Sequence, residues 1–275
     1  MPADSVETAS ARHLSSHTWS DRGEWFGGFS AIEVGPDGLT MTILTDRGYL
    51  ATGRITRKGE NIVRADLTSV DRLRTSKGKK LVGRVADSEG LAMSGNGPFY
   101  VSYEGVHRVA AHAAPWAKAR VLPRPEAFRG LATNGSFEAL AIDVSGRLYT
   151  MPESNRLPDG RIPVWRWDGR AWSMPISLEQ TGGFLPVGAD FGPDGRLYVL
   201  ERDFAQIGFR SRLRRIDLSS GREDELFRTG LGRHDNLEGV SIWRDESGRL
   251  RATMISDDNF LSLQRTELVE YLLPD

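Results

Sequence analysis

The sequence predicts an all-β fold: a single β-propeller of five four-stranded blades, its ring closed by an N-terminal strand. Three observations carry that expectation. A hairpin phrase recurs five times. Its turn glycines Gly38, Gly97, Gly146, Gly195 and Gly248 stand 59, 49, 49 and 53 residues apart, and no segment keeps a helical period beyond two turns. A period near 50 holds four strands, and radial repetition of four-stranded sheets makes a propeller. The mean interval of 52.5 residues, taken five times, fills nearly all of the 275 residues. Six blades are the alternative if the longer first interval hides a degenerate one.

Taken in order, the hairpins begin at Glu33-Val-Gly-Pro-Asp-Gly38, Glu89-Gly-Leu-Ala-Met, Glu138-Ala-Leu-Ala-Ile, Asp190-Phe-Gly-Pro-Asp-Gly195 and Glu238-Gly-Val-Ser-Ile. Each is an apolar strand, a Gly-containing reversal, and a second strand rich in β-branched and aromatic residues. The outer strands follow. Tyr49–Arg57 and Asn61–Thr68 complete the first unit, Val164–Trp167 and Trp172–Ile176 the third, and Arg212–Asp217 and Asp224–Thr229 the fourth. In the second unit Val109–Ala119 has a short helical period that Pro115 interrupts. The last unit stops after Arg265–Leu272, one strand short, so a segment near Trp19–Phe26 is expected to close the ring, because sheet edges must be paired or covered. The reading divides the chain into a flexible segment, 1–18, and one propeller domain, 19–275.

Composition excludes several classes. With no Cys there is neither a disulfide scaffold nor a Cys-ligated metal or redox site. A net charge of −1 offers no basic excess for nucleic acid. No apolar run approaches the roughly 18–20 residues of a membrane-spanning helix. Met1–His17 contains no apolar signal-peptide core in the given chain. The 30 Gly and 13 Pro fit many short strands and tight turns.

Candidate chemistry comes from acids placed by the repeat. In a hairpin the start of the first strand and the end of the second lie at the same open end. Glu89, Glu138 and Glu238 occupy the first position. Asp46, Glu104, Glu153, Glu201 and Asp257 occupy the second. The first and fourth repeats depart, with Ser30 and Val187 at the first position and their acids, Glu33 and Asp190, three residues later, an odd offset that would turn them the other way. Many carboxylates converging on one low-dielectric funnel repel one another. One relief is a hard cation on Glu89, Glu104, Glu138, Glu153, Glu201, Glu238 and Asp257, for which oxygen-rich ligands favour Ca²⁺. The other is interleaved arginine, drawn from Arg47, Arg156, Arg202 and Arg265, which would make an anion-binding mouth.

The remaining motifs are weaker. There is no Gly-x-Ser-x-Gly elbow, His-Glu-x-x-His pair or phosphate loop. Of five His, His107 and His234 stand beside acidic mouth motifs and are candidate proton shuttles. Arg47, Arg202 and Arg265 are candidates to clamp an anionic leaving group, and Glu138 and Glu238 to act in catalysis.

The sequence resembles the phytase-like family of bacterial proteins described as having esterase-like activity. The resemblance rests on Asp235-Asn-Leu-Glu-Gly-Val-Ser241, Ile255-Ser-Asp-Asp-Asn-Phe260 and Gln264-Arg-Thr-Glu-Leu268, with Asp46-Arg-Gly48, Ser102-Tyr-Glu-Gly105, Asn134-Gly-Ser-Phe-Glu138 and Leu200-Glu-Arg202 in support. It departs at Gly28-Phe-Ser-Ala-Ile32 and Val187-Gly-Ala-Asp190, in the two repeats that break the acid register. The resemblance implies ester hydrolysis on a propeller similar to calcium-dependent phytases, which use metal-activated water, and a periplasmic or secreted location. The expected partner is a small phosphoric or carboxylic ester, with no nucleic acid, no membrane insertion and no obligate protein partner. The alternatives are a non-catalytic ligand- or metal-binding propeller, and a sugar or lactone hydrolase using paired carboxylates.

Overall fold

Short apolar and β-branched runs between turn glycines write the chain into strands, most of them buried on both faces, and a computed structural model describes residues 10–275 apart from 96, 132–134, 206–207 and 262–263. The first strand, β1 (Arg12–Trp19), belongs to the last blade. Blade 1 comprises β2 (Phe29–Val34), β3 (Thr40–Thr45), β4 (Tyr49–Lys58) and β5 (Asn61–Arg72). Blade 2 comprises β6 (Ser88–Ala92), β7 (Phe99–Tyr103), β8 (Arg108–His112) and β9 (Arg120–Val121). Blade 3 comprises β10 (Phe137–Ile142), β11 (Leu148–Pro152), β12 (Ile162–Trp167) and β13 (Trp172–Leu178). Blade 4 comprises β14 (Leu185–Phe191), β15 (Leu197–Ala205), β16 (Gly208–Ile216) and β17 (Glu223–Arg228). Blade 5 comprises β18 (Asn236–Arg244), β19 (Leu250–Asp257), β20 (Thr266–Leu272) and β1. Every pairing within a blade is antiparallel, and the blade count is five.

Two details differ from the sequence reading. The closing strand is Arg12–Trp19, paired from Arg12↔Leu272 to Trp19↔Thr266. The propeller therefore begins before residue 19, and of the expected flexible segment residues 1–9 lie outside the described residues. The stretch Trp19–Phe26 does not continue the strand. Its Asp21 carboxylate accepts the Gly23 N–H at 2.7 Å, and Trp25 and Phe26 pack on Trp19 and Phe29. Burial of four aromatic rings outweighs strand pairing there. In blade 2 the 109–119 segment contributes β8, and the chain then turns before the two-residue β9.

The closure is held by buried charge. Glu270 on β20, with no exposed surface, accepts from Arg57 of blade 1 at 2.8 Å, from Arg251 at 3.2 Å and from Thr253 at 2.8 Å. Side chains also pin neighbouring blades near the channel. Ser241 Oγ accepts the Val34 N–H at 2.9 Å, Glu33 accepts that of Met93 at 3.1 Å, and Asp190 that of Ile242 at 2.6 Å. Among the described residues no helix is long and apolar enough to cross a membrane.

The inner strands β2, β6, β10, β14 and β18 meet around a waist with only about 10 Å³ of free space. Small residues permit this approach. A Cβ on Gly239 would lie 2.8 Å from the Ala31 Cα and the Ile32 nitrogen, both backbone atoms that cannot swing aside. Gly239→Ala is therefore expected to cost about 1–3 kcal/mol, the usual range for overpacking, read as a lowered urea midpoint. An unchanged midpoint would mean the ring relaxes freely.

Candidate functional site

The mouth of the channel is built by a repeated irregularity. Pairing between first and second strands slips once in every blade, around Ser30, Glu89–Gly90, Glu138, Val187 and Glu238. A bulge re-aims the side chain of its extra residue. The repeat thus delivers Ser30, Glu89, Glu138, Val187 and Glu238 to equivalent places at the mouth. The acids Glu33 and Asp190, three residues further on, lie down the channel. There burial and their mutual repulsion push Glu33 well above the ordinary carboxylate range, and burial raises Asp190 to about 7.

The second set of acids obeys the same geometry with one correction. Asn236, two residues before the blade 5 bulge, pairs with Asp257. Asp46, Glu104 and Glu153 follow directly on the partners of Phe29, Ser88 and Phe137, which brings them to the same level. In blade 4 that level is held by Arg202, opposite Leu185, while Glu201 pairs with Pro186. Strand side chains alternate between faces, so a one-residue offset sends Glu201 into the blade. There it has no exposed surface and accepts from Arg212 Nε at 2.6 Å and Arg214 Nη2 at 2.5 Å. Glu201 is no ligand of a mouth cation. It neutralises two buried guanidiniums.

Arg202, on blade 4, bridges carboxylates of the two neighbouring blades, 3 and 5. It donates to Glu153 at 2.7 Å, to Glu238 at 2.5 Å and to Asn236 at 2.7 Å. Both of its terminal nitrogens are thus engaged by the protein. On the other side of the mouth, Glu104 accepts from the Ser136 N–H at 2.9 Å, from the Gly135 N–H and from Glu138. One oxygen each from Asp87, Glu89 and Glu104 lies within 4.8 Å of the others. Asp257 accepts the Asn259 N–H at 3.0 Å. One oxygen of Asp46, Oδ1, is buried with no hydrogen bond, and Arg47 Nε stands 3.7 Å away.

This crowding moves the acids upward. Burial first, then repulsion from Glu238, Asp87 and Glu104, raises Glu89 well above its ordinary value. Burial and the charges of Glu89, Glu153 and Glu104 do the same to Glu138. Glu238 and Asp46 are pushed up to about 7, and Asp257 to about 6, in each case by burial foremost. An acid raised in the folded state favours the protonated fold, so folding loses stability as pH rises through the raised values. His234 and His112, held neutral by burial at about 3 and 4, act the other way until pH has risen past the unfolded histidine value near 6.5. The histidines, His17 among them, stop contributing about one unit above their unfolded value, so between about pH 7.5 and 9 the acids alone act. In cation-free buffer Tm is expected to fall across that window, checked by calorimetry at fixed ionic strength.

The other expected residues divide. His107 sits at the rim, its Nδ1 2.8 Å from Ser136 Oγ. His234 does not reach the mouth. It is buried, with Nε2 2.8 Å from Tyr271 Oη and its ring against His13. Arg47 is diverted to carbonyls: it donates to those of Glu24, Trp25 and Phe26 at 3.1–3.2 Å and lies over Phe260. It fastens the aromatic plug. Arg265 is exposed at the rim and pairs with Glu267 at 3.3 Å. Asp87 escaped the sequence reading because it precedes β6. Its signal was present: it stands two residues before Glu89, on the same face. Asn134, within one family-like motif, lies outside the described residues.

The donor set at Asp87, Glu89 and Glu104 suits a hard, oxygen-seeking divalent cation. All its donors are carboxylate oxygens, and their mutual repulsion is what such a charge would relieve.

Comparison with known proteins adds a family and a fold. Residues 24–260 match the phytase-like family, described as having the esterase-like activity of phytase. No curated protein matches the sequence. Among solved structures, a luciferin-regenerating enzyme is similar at TM-score 0.51 and 11% identity, over 94% of this chain and 95% of that one. A thermostable family-43 glycoside hydrolase aligns at TM-score 0.50 and 11% identity, over 93% and 92%. At such identities the likeness concerns the fold alone.

Proposed function

The chain belongs to the phytase-like family, and on that premise we propose that it hydrolyses phosphoric or carboxylic esters at the acidic mouth, with Ca²⁺ held by Asp87, Glu89 and Glu104. The approach of those three carboxylates is the single observation that carries the reading. When bound, the cation would polarise an ester oxygen and lower the pKa of water. The remaining roles fall to side chains. Glu138, whose raised pKa keeps it protonated and whose proton is shared with Glu104, is placed to deliver a proton to the leaving oxygen. Arg202 fixes Glu153 and Glu238 and keeps that half of the mouth from repelling an anionic substrate. His107 stands at the rim to exchange protons with solvent.

A second reading rests on one observation, the Glu138–Glu104 pair. Two carboxyl groups with unequal proton affinity can serve as acid and base on a sugar or lactone without a metal. One experiment separates the readings. Phytate, aryl phosphates, aryl carboxylates and lactones are assayed with added Ca²⁺ and with chelator. Calcium should be required for turnover, and should raise Tm because a ligand of the folded state stabilises by mass action. Chelator-insensitive turnover would select the paired-carboxylate reading, and no Tm response would remove the metal.

A further inference from the structure

Next to the acidic mouth lies a cavity of opposite charge. It occupies about 490 Å³ between the one-turn 3₁₀ segments Gly83–Val85 of blade 2 and Glu126–Gly130 of blade 3. Arg84, Arg124, His107, Gly105, Val106 and Phe128 line it. Beneath it, buried Arg108 donates to the carbonyls of Val85 at 2.5 Å and Val106 at 3.0 Å, and its guanidinium lies 3.7 Å from the centre of the Tyr103 ring. Most partly buried arginines of this protein are matched with acids, as Arg202, Arg212, Arg214 and Arg251 are. Among the described residues, none of Arg84, Arg108 and Arg124 brings a nitrogen within 4.0 Å of a carboxylate oxygen. Burial first, and the nearby Arg124 charge with it, disfavours the charged form of Arg108, while Asp87 favours it. The protein therefore assembles three guanidiniums and an imidazole around one nearby carboxylate, Asp87, whose charge favours Arg84 and Arg108 without closing an ion pair on either.

The cavity shares a wall with the carboxylate cluster. Gly105 follows Glu104, and Asp87 accepts the Gly105 N–H. A Cβ at Gly105 would run into the Arg84 carbonyl, and would come within 2.7 Å of Asp87 Oδ2 and 2.8 Å of Arg84 Cγ. Only glycine lets Arg84 sit this close to the acids. His107 Nδ1 is held by Ser136, the residue whose N–H fixes Glu104. Cationic cavity and acid cluster are thus joined through two backbone junctions.

We infer that this cavity is an oxyanion subsite in which Arg84, Arg124 and His107 hold a phosphoryl or carboxylate group of the substrate beside the Asp87–Glu89–Glu104 cluster. The inference rests on the ester-hydrolase reading for what lies next door, not for the binding itself. Planar guanidiniums match the oxygens of such groups with paired hydrogen bonds. The volume falls within the range of small-molecule sites, so it accommodates the anionic group with the carbon skeleton attached. Anion recognition passes from Arg47, Arg202 and Arg265, whose groups are engaged or remote, to arginines whose nitrogens make no ion pair among the described contacts.

Inorganic phosphate is the probe. Its binding to the full chain in cation-free buffer is followed by titration calorimetry and ³¹P line broadening, with succinate as competitor. Arg84→Gln and Arg124→Gln should each weaken phosphate by about tenfold or more, the loss of one charge-assisted pair. Both residues are exposed, so Tm should stay put. Competition by succinate would extend the subsite to carboxylates, and its failure would restrict it to phosphoryl groups. The inference is overturned if wild type shows no saturable phosphate binding, or if the double variant binds as wild type does. Glu89→Gln separates this site from the metal reading. It should abolish the calcium response and leave Arg84-dependent phosphate binding in place.

Discussion

Glu201→Gln is expected to lower stability by about 3–5 kcal/mol, the cost of removing one partner from a buried ion pair, with Tm falling by about 10 °C. The reason is local. Glu201 is the only acid within reach of both Arg212 Nε and Arg214 Nε, at 2.6 and 2.9 Å, among the described contacts. Arg212 and Arg214 are themselves 1% and 4% exposed, so water cannot replace the lost charge. A neutral amide would also turn hydrogens toward the guanidiniums. Replacing the three residues together, with Leu for Glu201 and Met for both arginines, should recover part of the loss, because the buried charges go together and the acids left behind, Glu223 and Glu225, are partly exposed and keep Arg161 and Arg228. Chemical denaturation of wild type and the two variants checks both statements. Any calcium response of Tm should survive Glu201→Gln, and its disappearance would return Glu201 to the ligand set.

Glu138→Gln should act in the opposite manner, leaving the fold intact and removing turnover by about 10²–10⁴-fold, the usual contribution of a general acid. The variant copies the protonated form that burial already favours and can still donate to Glu104. Stability should therefore hold, or rise at alkaline pH where the wild-type acid is forced to ionise. The measurement is kcat on whichever ester the panel identifies, alongside Tm at pH 6 and 8. Turnover within a few-fold of wild type would pass the proton-delivery role to another mouth acid, with Glu238, raised to about 7, the next to test.

Much of the architecture was legible because it is written locally. Each turn glycine marks a reversal between an apolar run and a run rich in β-branched and aromatic residues, so the blade count followed from spacing. Local signals also put Glu89, Glu138 and Glu238 at one end, since all three precede the same hairpin by similar distances. They were insufficient for Glu201 and Arg202. These adjacent residues differ only in parity, and parity depends on a bulge in the partner strand that no local pattern marks. Arg47 misled for a different reason. Its place beside Asp46 was read correctly, yet its hydrogens are taken by carbonyls of Glu24–Phe26, brought there by aromatic packing. His234 stands one residue from an acidic motif and still faces the outer strands, where Tyr271 and His13 meet it.

The sequence by itself determined a cysteine-free ring of five hairpin-led blades with acids gathered at one mouth, because strand periodicity and turn chemistry act over a few residues. The tertiary structure decided which of those acids share space, which arginines they consume and which are left over. It drew Asp87 to Glu89 and Glu104, gave Arg202 to Glu153 and Glu238, and left Arg84 and Arg124 facing an open cavity. Charge pairing is settled by distances across blades, and those distances exist only once bulges, register and ring closure have fixed where each side chain points.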